Sequence, residues 1–301
     1  MFDEHQHFSI INQQNGLVIE KGYLSKRVGS MNIRLSFSAY LPAQIAAMVD
    51  EIGVKKATMP ILPLVMLGML AGSFIGLGAM LYVLIKSDNT LSFASIQLLG
   101  GLAFCLGLIL VVVAGAELFT GNNLIVMAWA DNKISLYGLL RNWTVVCIAN
   151  LFGAAGMATL VFLSGHVLMN DGAIAEQYLN IAATKSDLTN TEALFRGILC
   201  NILVCMAVWM AIAGKTVTDK VVAIIFPITA FVAAGFEHSV ANMYFYPMAL
   251  LIQHFSILDI PGSLITFIDF FRNIFFVIIG NIIGGSIFVG LVYHIIYQRK
   301  Y

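Results

Sequence analysis

Two apolar runs in this chain are too long to form single membrane-spanning helices. Residues 91–130 contain one charged residue, Glu117, and residues 221–258 contain one, Glu237. A continuous helix of about 40 residues would be roughly 60 Å long, about twice the thickness of a bilayer's hydrocarbon core. Each run must therefore be interrupted, and glycine or proline near the acidic residue predicts where. The candidate breakers are Gly115, Gly121, Pro227 and Gly235.

The composition indicates that these runs belong to an integral membrane protein. Of the 301 residues, 59% are hydrophobic and 11% are charged, and the mean hydropathy is +0.89. Soluble domains are usually about 45–50% apolar and about 25% charged. The zero net charge, without a basic tail, argues against nucleic-acid binding. Together with the two long runs, four stretches without Asp, Glu, Lys or Arg predict six spans: 61–85, 142–165, 197–213 and 273–297.

The distribution of basic residues predicts the orientation of the six spans. Twelve lysines and arginines fall on the side of the membrane that holds both termini, and four fall on the other side. The positive-inside rule then places both termini in the cytoplasm and segment 166–192 outside it, in a multi-pass protein of the inner (plasma) membrane. The predicted regions are a polar, loosely ordered cytoplasmic extension (1–40), an amphipathic interfacial helix (41–57) and a six-helix transmembrane domain (58–301).

Two pairs of similar motifs indicate an inverted repeat. GAELFTGN at 115–122 and GFEHSVAN at 235–242 share Gly, Glu and Asn at the same spacing, and ANLFGAAG at 149–156 parallels GNIIGGSI at 280–287. Three spans in each half force the second half to run opposite to the first, which is an architecture of channels and transporters. Non-helical backbone at membrane depth is tolerated only inside protein or beside a water-filled cavity, so the repeated motif is predicted to line the transport path. The two repeats are residues 61–165 and 193–297.

Ionisable and hydroxyl groups inside these motifs are the candidate site residues. Glu117 and Glu237 occur in both copies, so we interpret them as structural carboxylates that cap backbone N–H groups freed by the breaks. His238 has no such counterpart, because Leu118 occupies the equivalent position. An ionisable side chain at a helix break within a membrane is a functional candidate by default, and Thr120 offers a hydroxyl near the first break. The four cysteines lack metal-ligand spacing, so no metal or cofactor is predicted.

Three segments resemble the signature segments of the formate/nitrite transporter family. They are GAELFTGN at 115–122, GILCNILVCMAVW at 197–209 and GFEHSVANM at 235–243, and the resemblance extends over roughly residues 41–297. It implies an all-α, aquaporin-like membrane fold with six transmembrane helices in two inverted three-helix repeats, in which helices 2 and 5 are broken. It also implies a homopentamer with one pore per subunit, conducting formate, nitrite or other small weak-acid anions.

The resemblance also implies roles for individual residues. His238 matches the family's central pore histidine, Thr120 matches the threonine of the first break, and Asn201 matches an asparagine that contacts the histidine region. Lys185 falls where the family keeps a lysine in the extracytoplasmic vestibule, where it would attract anions. The further polar residues of the predicted path are Glu237 and Asn281, and the predicted apolar constrictions are Phe104, Leu108, Leu118, Phe119, Val204 and Phe231.

A channel for small monovalent anions, with formate preferred, is the function that we expect. Removing water from a bare anion costs on the order of several kcal/mol, so a proton donated through His238, or polarisation through Thr120 and Asn201, would ease passage as the neutral acid. A nitrite- or hydrosulfide-preferring member of the family and an ion-coupled symporter are alternatives. A neutral-solute channel is another, but its paired Asn-Pro-Ala boxes are absent, since Asn242 is followed by Met243. An enzyme is not expected, because no nucleophile with its base and no nucleotide motif occurs.

Overall fold

The computed structural model describes four segments of the chain, which belong to two compact units. The described residues are 10–12, 17–19, 39–255 and 264–299. The first unit, Met1–Tyr40, contains an antiparallel pair formed by β1 (Ile10–Asn12) and β2 (Leu17–Ile19). The rest of the predicted N-terminal extension as far as Ser38, with its predicted loose order, lies outside the described residues. The second unit, Leu41–Tyr301, is helical wherever its described part has regular structure.

Helices form most of the described part of this second unit. The α-helices are α1 (Pro42–Ala57), α2 (Ile61–Lys86), α3 (Phe93–Ala114), α4 (Val126–Ala130), α5 (Leu136–Leu163), α6 (Ala173–Ser186), α7 (Asn190–Ala213), α8 (Val217–Ala233), α9 (Ser239–Phe255), α10 (Phe267–Ile282) and α11 (Val292–Tyr297). In the described segments, three short 3₁₀ helices cover Gly121–Ile125, His166–Leu168 and Asn170–Gly172, and a π-helix covers Ile283–Leu291 between α10 and α11.

Within the described residues, five helices are long and apolar enough to cross a bilayer. They are α2, α3, α5, α7 and the continuous helix Phe267–Tyr297, which joins α10, the π-helix and α11. The remaining predicted span, in residues 221–258, is occupied by α8 and α9, which have 17 residues each. At 1.5 Å per residue each is about 25 Å long, slightly less than a hydrocarbon core of about 30 Å.

Both long apolar runs lose helical structure beside their acidic residue. α3 ends directly before Gly115 and α8 ends shortly before Gly235, and these two glycines have φ values of 85° and 70°. Glycine tolerates such left-handed backbone because it lacks the Cβ that would clash with the following carbonyl. Gly121, predicted as a breaker, instead begins the 3₁₀ helix. Pro227, also predicted as a breaker, lies inside α8, which continues beyond it.

Small residues bring the helices of each half into backbone contact. α2 packs against α3 and α5, α7 packs against α8 and α10, and α9 packs against α5 in the other half. A Cβ built on Gly153 would overlap the Met69 carbonyl on α2, and a Cβ on Gly284 would overlap the Ile198 carbonyl on α7. Both glycines belong to the parallel motifs at 149–156 and 280–287, and their lack of a Cβ allows the close approach of the helices.

Helix α1 coincides with the predicted amphipathic segment 41–57 and buries one face, which includes Ile45 and Val49. Asp50 lies on the same face and is fully buried, and one of its oxygens accepts a hydrogen bond from Lys133 Nζ at 2.8 Å. Burial raises the pKa of Asp50, an effect larger than the lowering by Lys133. The pair ties α1 to the connection that precedes α5.

Candidate functional site

The first helix break is held by a buried network around Glu117. Lys56 Nζ lies 2.8 Å from Glu117 Oε1 and donates also to Asn122 Oδ1 at 2.8 Å. Asn122 Nδ2 donates to Glu117 Oε2 at 2.7 Å and to Asn142 Oδ1 at 2.9 Å. Asn142 Nδ2 in turn donates to the Lys56 carbonyl at 3.0 Å. The carboxylate is therefore compensated by a lysine that comes from α1.

The second break repeats most of these bonds around Glu237, except that the Asn242 Oδ1 has no partner among the described residues equivalent to the Lys56 bond. Lys185 Nζ lies 2.8 Å from Glu237 Oε1, and Asn242 Nδ2 donates to Glu237 Oε2 at 2.6 Å and to Asn273 Oδ1 at 2.7 Å. Asn273 Nδ2 donates to the Lys185 carbonyl at 3.2 Å. The prediction that the two glutamates cap backbone N–H groups is wrong, because in the described part of the chain their carboxylates accept from lysine and asparagine side chains.

Two asparagines, Asn150 and Asn281, satisfy the backbone at the breaks instead. Asn150 Oδ1 accepts from the Phe119 N–H at 2.9 Å, and its Nδ2 donates to the Glu117 carbonyl at 2.9 Å. Asn281 does the same in the second half, with the Ser239 N–H at 3.0 Å and the Glu237 carbonyl at 3.0 Å. Buried backbone groups without partners would be costly at membrane depth, so these amides stabilise the interruptions.

The two halves differ at His238 and Thr120. His238 is 3% exposed, and its Nε2 lies 2.9 Å from Thr120 Oγ1. Its Nδ1 accepts a hydrogen bond from the Ala241 N–H at 3.1 Å. The neutral ring must therefore carry its proton on Nε2 and donate it to the Thr120 hydroxyl oxygen. Leu118 and Val240 occupy the equivalent positions, so this pair has no counterpart in the other half.

Asn201 connects the two breaks. Its Nδ2 lies 2.7 Å from Asn123 Oδ1, 2.7 Å from the Asn281 carbonyl and 3.2 Å from the Thr120 carbonyl. Among the described residues, the imidazole of His238 bonds Thr120 and Ala241 but not Asn201. Asn201 therefore reaches the histidine through Thr120.

Two cavities lie toward opposite ends of α3 and α7 and share no lining residue. The α6-side cavity has a volume of about 240 Å³ and reaches Lys185, Glu237 and His238. The α1-side cavity has a volume of about 260 Å³ and reaches Lys56 and Glu117. Thr120 is fully buried and lines neither cavity, so the histidine faces one cavity while its partner lies in the wall between them.

The six residues predicted to form apolar constrictions are all buried, in three pairs. Phe104 and Phe231 line the α6-side cavity, Leu108 and Leu118 line the α1-side cavity, and Phe119 and Val204 line neither. The Phe104 and Phe231 rings meet edge to face with centroids 5.8 Å apart, and the Phe231 ring stacks on His238 at 5.9 Å.

The sequence-based prediction missed Lys56, Asn122, Asn142, Asn150, Asn242 and Asn273. Asn122 and Asn242 are the last residues of the two repeated motifs, so their shared position was a usable signal. Lys56 lies before the first repeat, where it counts only among the twelve basic residues that predict the orientation. No group of three His, Cys, Asp or Glu able to hold a metal ion occurs among the described residues.

Comparisons with known proteins match most of this chain to one family. A model of the family "Formate/nitrite transporter" matches residues 43–295. The formate channel FocA of Escherichia coli (strain K12) is 40% identical over 275 residues, covering 88% of this chain and 96% of FocA. A solved structure described as "Pentameric formate channel with formate bound" has a TM-score of 0.74 and 37% identity, covering 81% of this chain and 99% of that one.

A second solved structure, described as "FNT family ion channel", has a TM-score of 0.71 and 31% identity, covering 84% of this chain and 96% of that one. The resemblance seen in the sequence is thus confirmed. With its apolar helices, the chain is a multi-pass membrane protein. It belongs to the formate/nitrite transporter family, which is a family of channels and transporters and not of enzymes.

Proposed function

We propose that this protein is a membrane channel for small monovalent weak-acid anions and that formate is its main substrate. The observation that carries the proposal is the hydrogen-bonded His238 and Thr120 pair, buried near two cavities that lie toward opposite ends of α3 and α7. The names of the similar proteins support formate, because a formate channel and a pentameric channel with bound formate are among them. Nitrite and hydrosulfide are the competing substrates of similar size and charge.

The proposed architecture has six spans, of which the second and fifth are interrupted. The matching networks around Glu117 and Glu237 support an inverted repeat. At each break a lysine from a different helix, α1 or α6, pairs with the equivalent glutamate. We further propose a homopentamer in the inner membrane with both termini in the cytoplasm. The pentameric relative supports the assembly, and the excess of lysine and arginine on the terminal side supports the orientation.

In the proposed mechanism, the anion enters the α6-side cavity beside Lys185 and meets His238 next to Phe231. The imidazole already donates its Nε2 proton to Thr120, so the Thr120 hydroxyl keeps its own proton for the passing anion. A neutral imidazole that gave up the Nε2 proton would become an imidazolate. Direct transfer would therefore require protonation at Nδ1 and loss of the bond from Ala241. These bonds favour His238 as a group that polarises Thr120.

Liposomes containing the purified protein test this function. We expect formate to enter, with a change of internal pH, and glycerol to be excluded. Thr120→Val should reduce formate flux about tenfold or more, because a hydrogen bond to a charged group contributes about 1.5–3 kcal/mol. Thr159→Val, which changes an exposed threonine of α5, is the matched control and should transport normally.

Other results would change the assignment. Faster entry of nitrite or hydrosulfide than of formate would identify that anion as the main substrate, within the same family. Anion uptake that depends on sodium would favour a symporter. Entry of glycerol without anions would refute the anion channel. Normal formate flux through both Thr120→Val and His238→Asn would refute the role given to this pair.

A further inference from the structure

The two cavities differ in the charges that line them. The α1-side cavity has one lysine, Lys56, beside the carboxylate of Glu117. The α6-side cavity has the equivalent pair, Lys185 with Glu237, and two further cationic side chains, which belong to Lys86 and Arg196. The paired charges offset each other in both cavities, so the extra cations make the α6-side cavity positive.

Of these two cations, Lys86 is the one without a nearby carboxylate. Its Nζ donates to Gln97 Oε1 at 2.8 Å, and no carboxylate oxygen lies within 4 Å of it in the described part of the chain. Asp88, two residues further on, accepts hydrogen bonds from Thr90 instead. Arg196 has Glu192 at 4.0 Å, and both of those side chains are substantially exposed, so water screens the pair.

Gln97 fixes the position of the ammonium without neutralising it. Its Oε1 accepts from Lys86, and its Nε2 donates to the Ala233 carbonyl at 2.9 Å, at the end of α8. The tether therefore joins the end of α2 to the helix that leads into the second break. An ammonium has three N–H donors, and the bond to Gln97 uses one of them. A glutamate at position 97 could still accept from Lys86 and would cancel its charge, but it would lose the donor to the Ala233 carbonyl.

We propose that Lys86, positioned by Gln97, is an anion-collecting residue of the α6-side cavity that draws small carboxylates and similar oxyanions toward the Lys185–Glu237 pair. A cleft lined with one sign of charge concentrates ions of opposite sign and speeds their entry. Lys185 is already compensated by Glu237 at 2.8 Å, so Lys86 supplies attraction at longer range. This inference rests on the proposed function, because it assigns a residue to the capture of the proposed substrate.

Formate flux measured at two ionic strengths tests the inference. At low ionic strength, Lys86→Gln should raise the formate concentration needed for half-maximal flux roughly twofold to fivefold. The shift should largely disappear at about 1 M salt, where the screening length is about 3 Å. Lys86→Arg should behave as wild type. Lys55→Gln removes an equal charge from an exposed position of α1 that lines neither cavity, and it should show no shift.

A second variant protects the test against misfolding. Gln97→Glu keeps Lys86 and adds a carboxylate beside it, so it should reproduce the low-salt shift of Lys86→Gln. Unchanged half-maximal concentrations in both variants, or a shift that does not respond to salt, would overturn the inference while leaving the proposed function intact. A wild-type protein that carries no small anion would overturn both.

Discussion

The buried pair of Lys56 and Glu117 gives the sharpest test of how the first break is held. Glu117 is 4% exposed, and its carboxylate has the Lys56 ammonium at 2.8 Å and the Asn122 amide at 2.7 Å. Lys56→Met removes the compensating charge and leaves the carboxylate buried with one amide donor. Removing one partner of a buried ion pair is far more destabilising than replacing both, because the second charge remains buried without compensation.

The expected size of the effect follows from burial. Loss of one partner of a buried pair costs about 3–5 kcal/mol, and the lower end applies because the Lys56 side chain is 24% exposed. Glu117→Gln keeps an oxygen that can accept from Lys56, so about 1–2 kcal/mol is expected. The double variant buries no unpaired charge and should also lose only about 1–2 kcal/mol. The two substitutions should therefore couple by about 3 kcal/mol.

Thermal unfolding of the purified protein in detergent, followed by tryptophan fluorescence, measures this cycle. At roughly 2–4 °C per kcal/mol, Lys56→Met should lower the midpoint by about 6–12 °C and the double variant by about 3–6 °C. Lys55→Met changes the exposed neighbouring lysine and should shift the midpoint by no more than about 2 °C. A double variant that melts as low as Lys56→Met would show that charge compensation does not hold this break.

Two further predictions concern helix packing and pH. Gly153→Ala should lower both stability and transport, by about 1–3 kcal/mol in stability, because its Cβ would overlap the Met69 carbonyl. Gly156→Ala, on the same helix with open space around its Cβ, should change neither, and equal effects of the two would contradict the packing argument. Because burial raises the pKa of Asp50, wild type gains stability at low pH that is lost as pH rises through the folded-state pKa. Between about pH 4 and 8, the melting midpoint of wild type should therefore fall relative to that of Asp50→Asn as pH rises. Parallel curves for the two proteins would refute this.

The site combines a symmetric framework with an asymmetric centre. Lys56 and Lys185 compensate equivalent glutamates, and Asn150 and Asn281 satisfy equivalent backbone groups. The framework stabilises both interruptions with side chains from elsewhere in the chain. His238, where the first repeat has leucine, departs from this symmetry and bonds Thr120, so the proposed role in transport is assigned to this one polar pair.

Membrane helices, interruptions and family could be predicted from the sequence because each depends on local or one-dimensional constraints. The thickness of a bilayer limits the length of a helix, so two apolar runs of about 40 residues had to be interrupted. Gly115 and Gly235 were identifiable because glycine tolerates left-handed backbone. His238 stood out because placing an ionisable residue in an apolar run is energetically costly, so a residue at such a position is expected to serve a function.

Partners that come from distant segments could not be predicted in this way. Glu117 is compensated by Lys56, which lies 61 residues earlier on a helix that precedes the first repeat. This pairing depends on how α1 packs against the first break. Similarly, Gln97 holds Lys86 in place through its bond to the Ala233 carbonyl on α8, a contact between separate helices. Apolar periodicity and glycine act along the chain, whereas the compensation of a buried charge depends on distances across helices. Such distances exist only once the helices have packed.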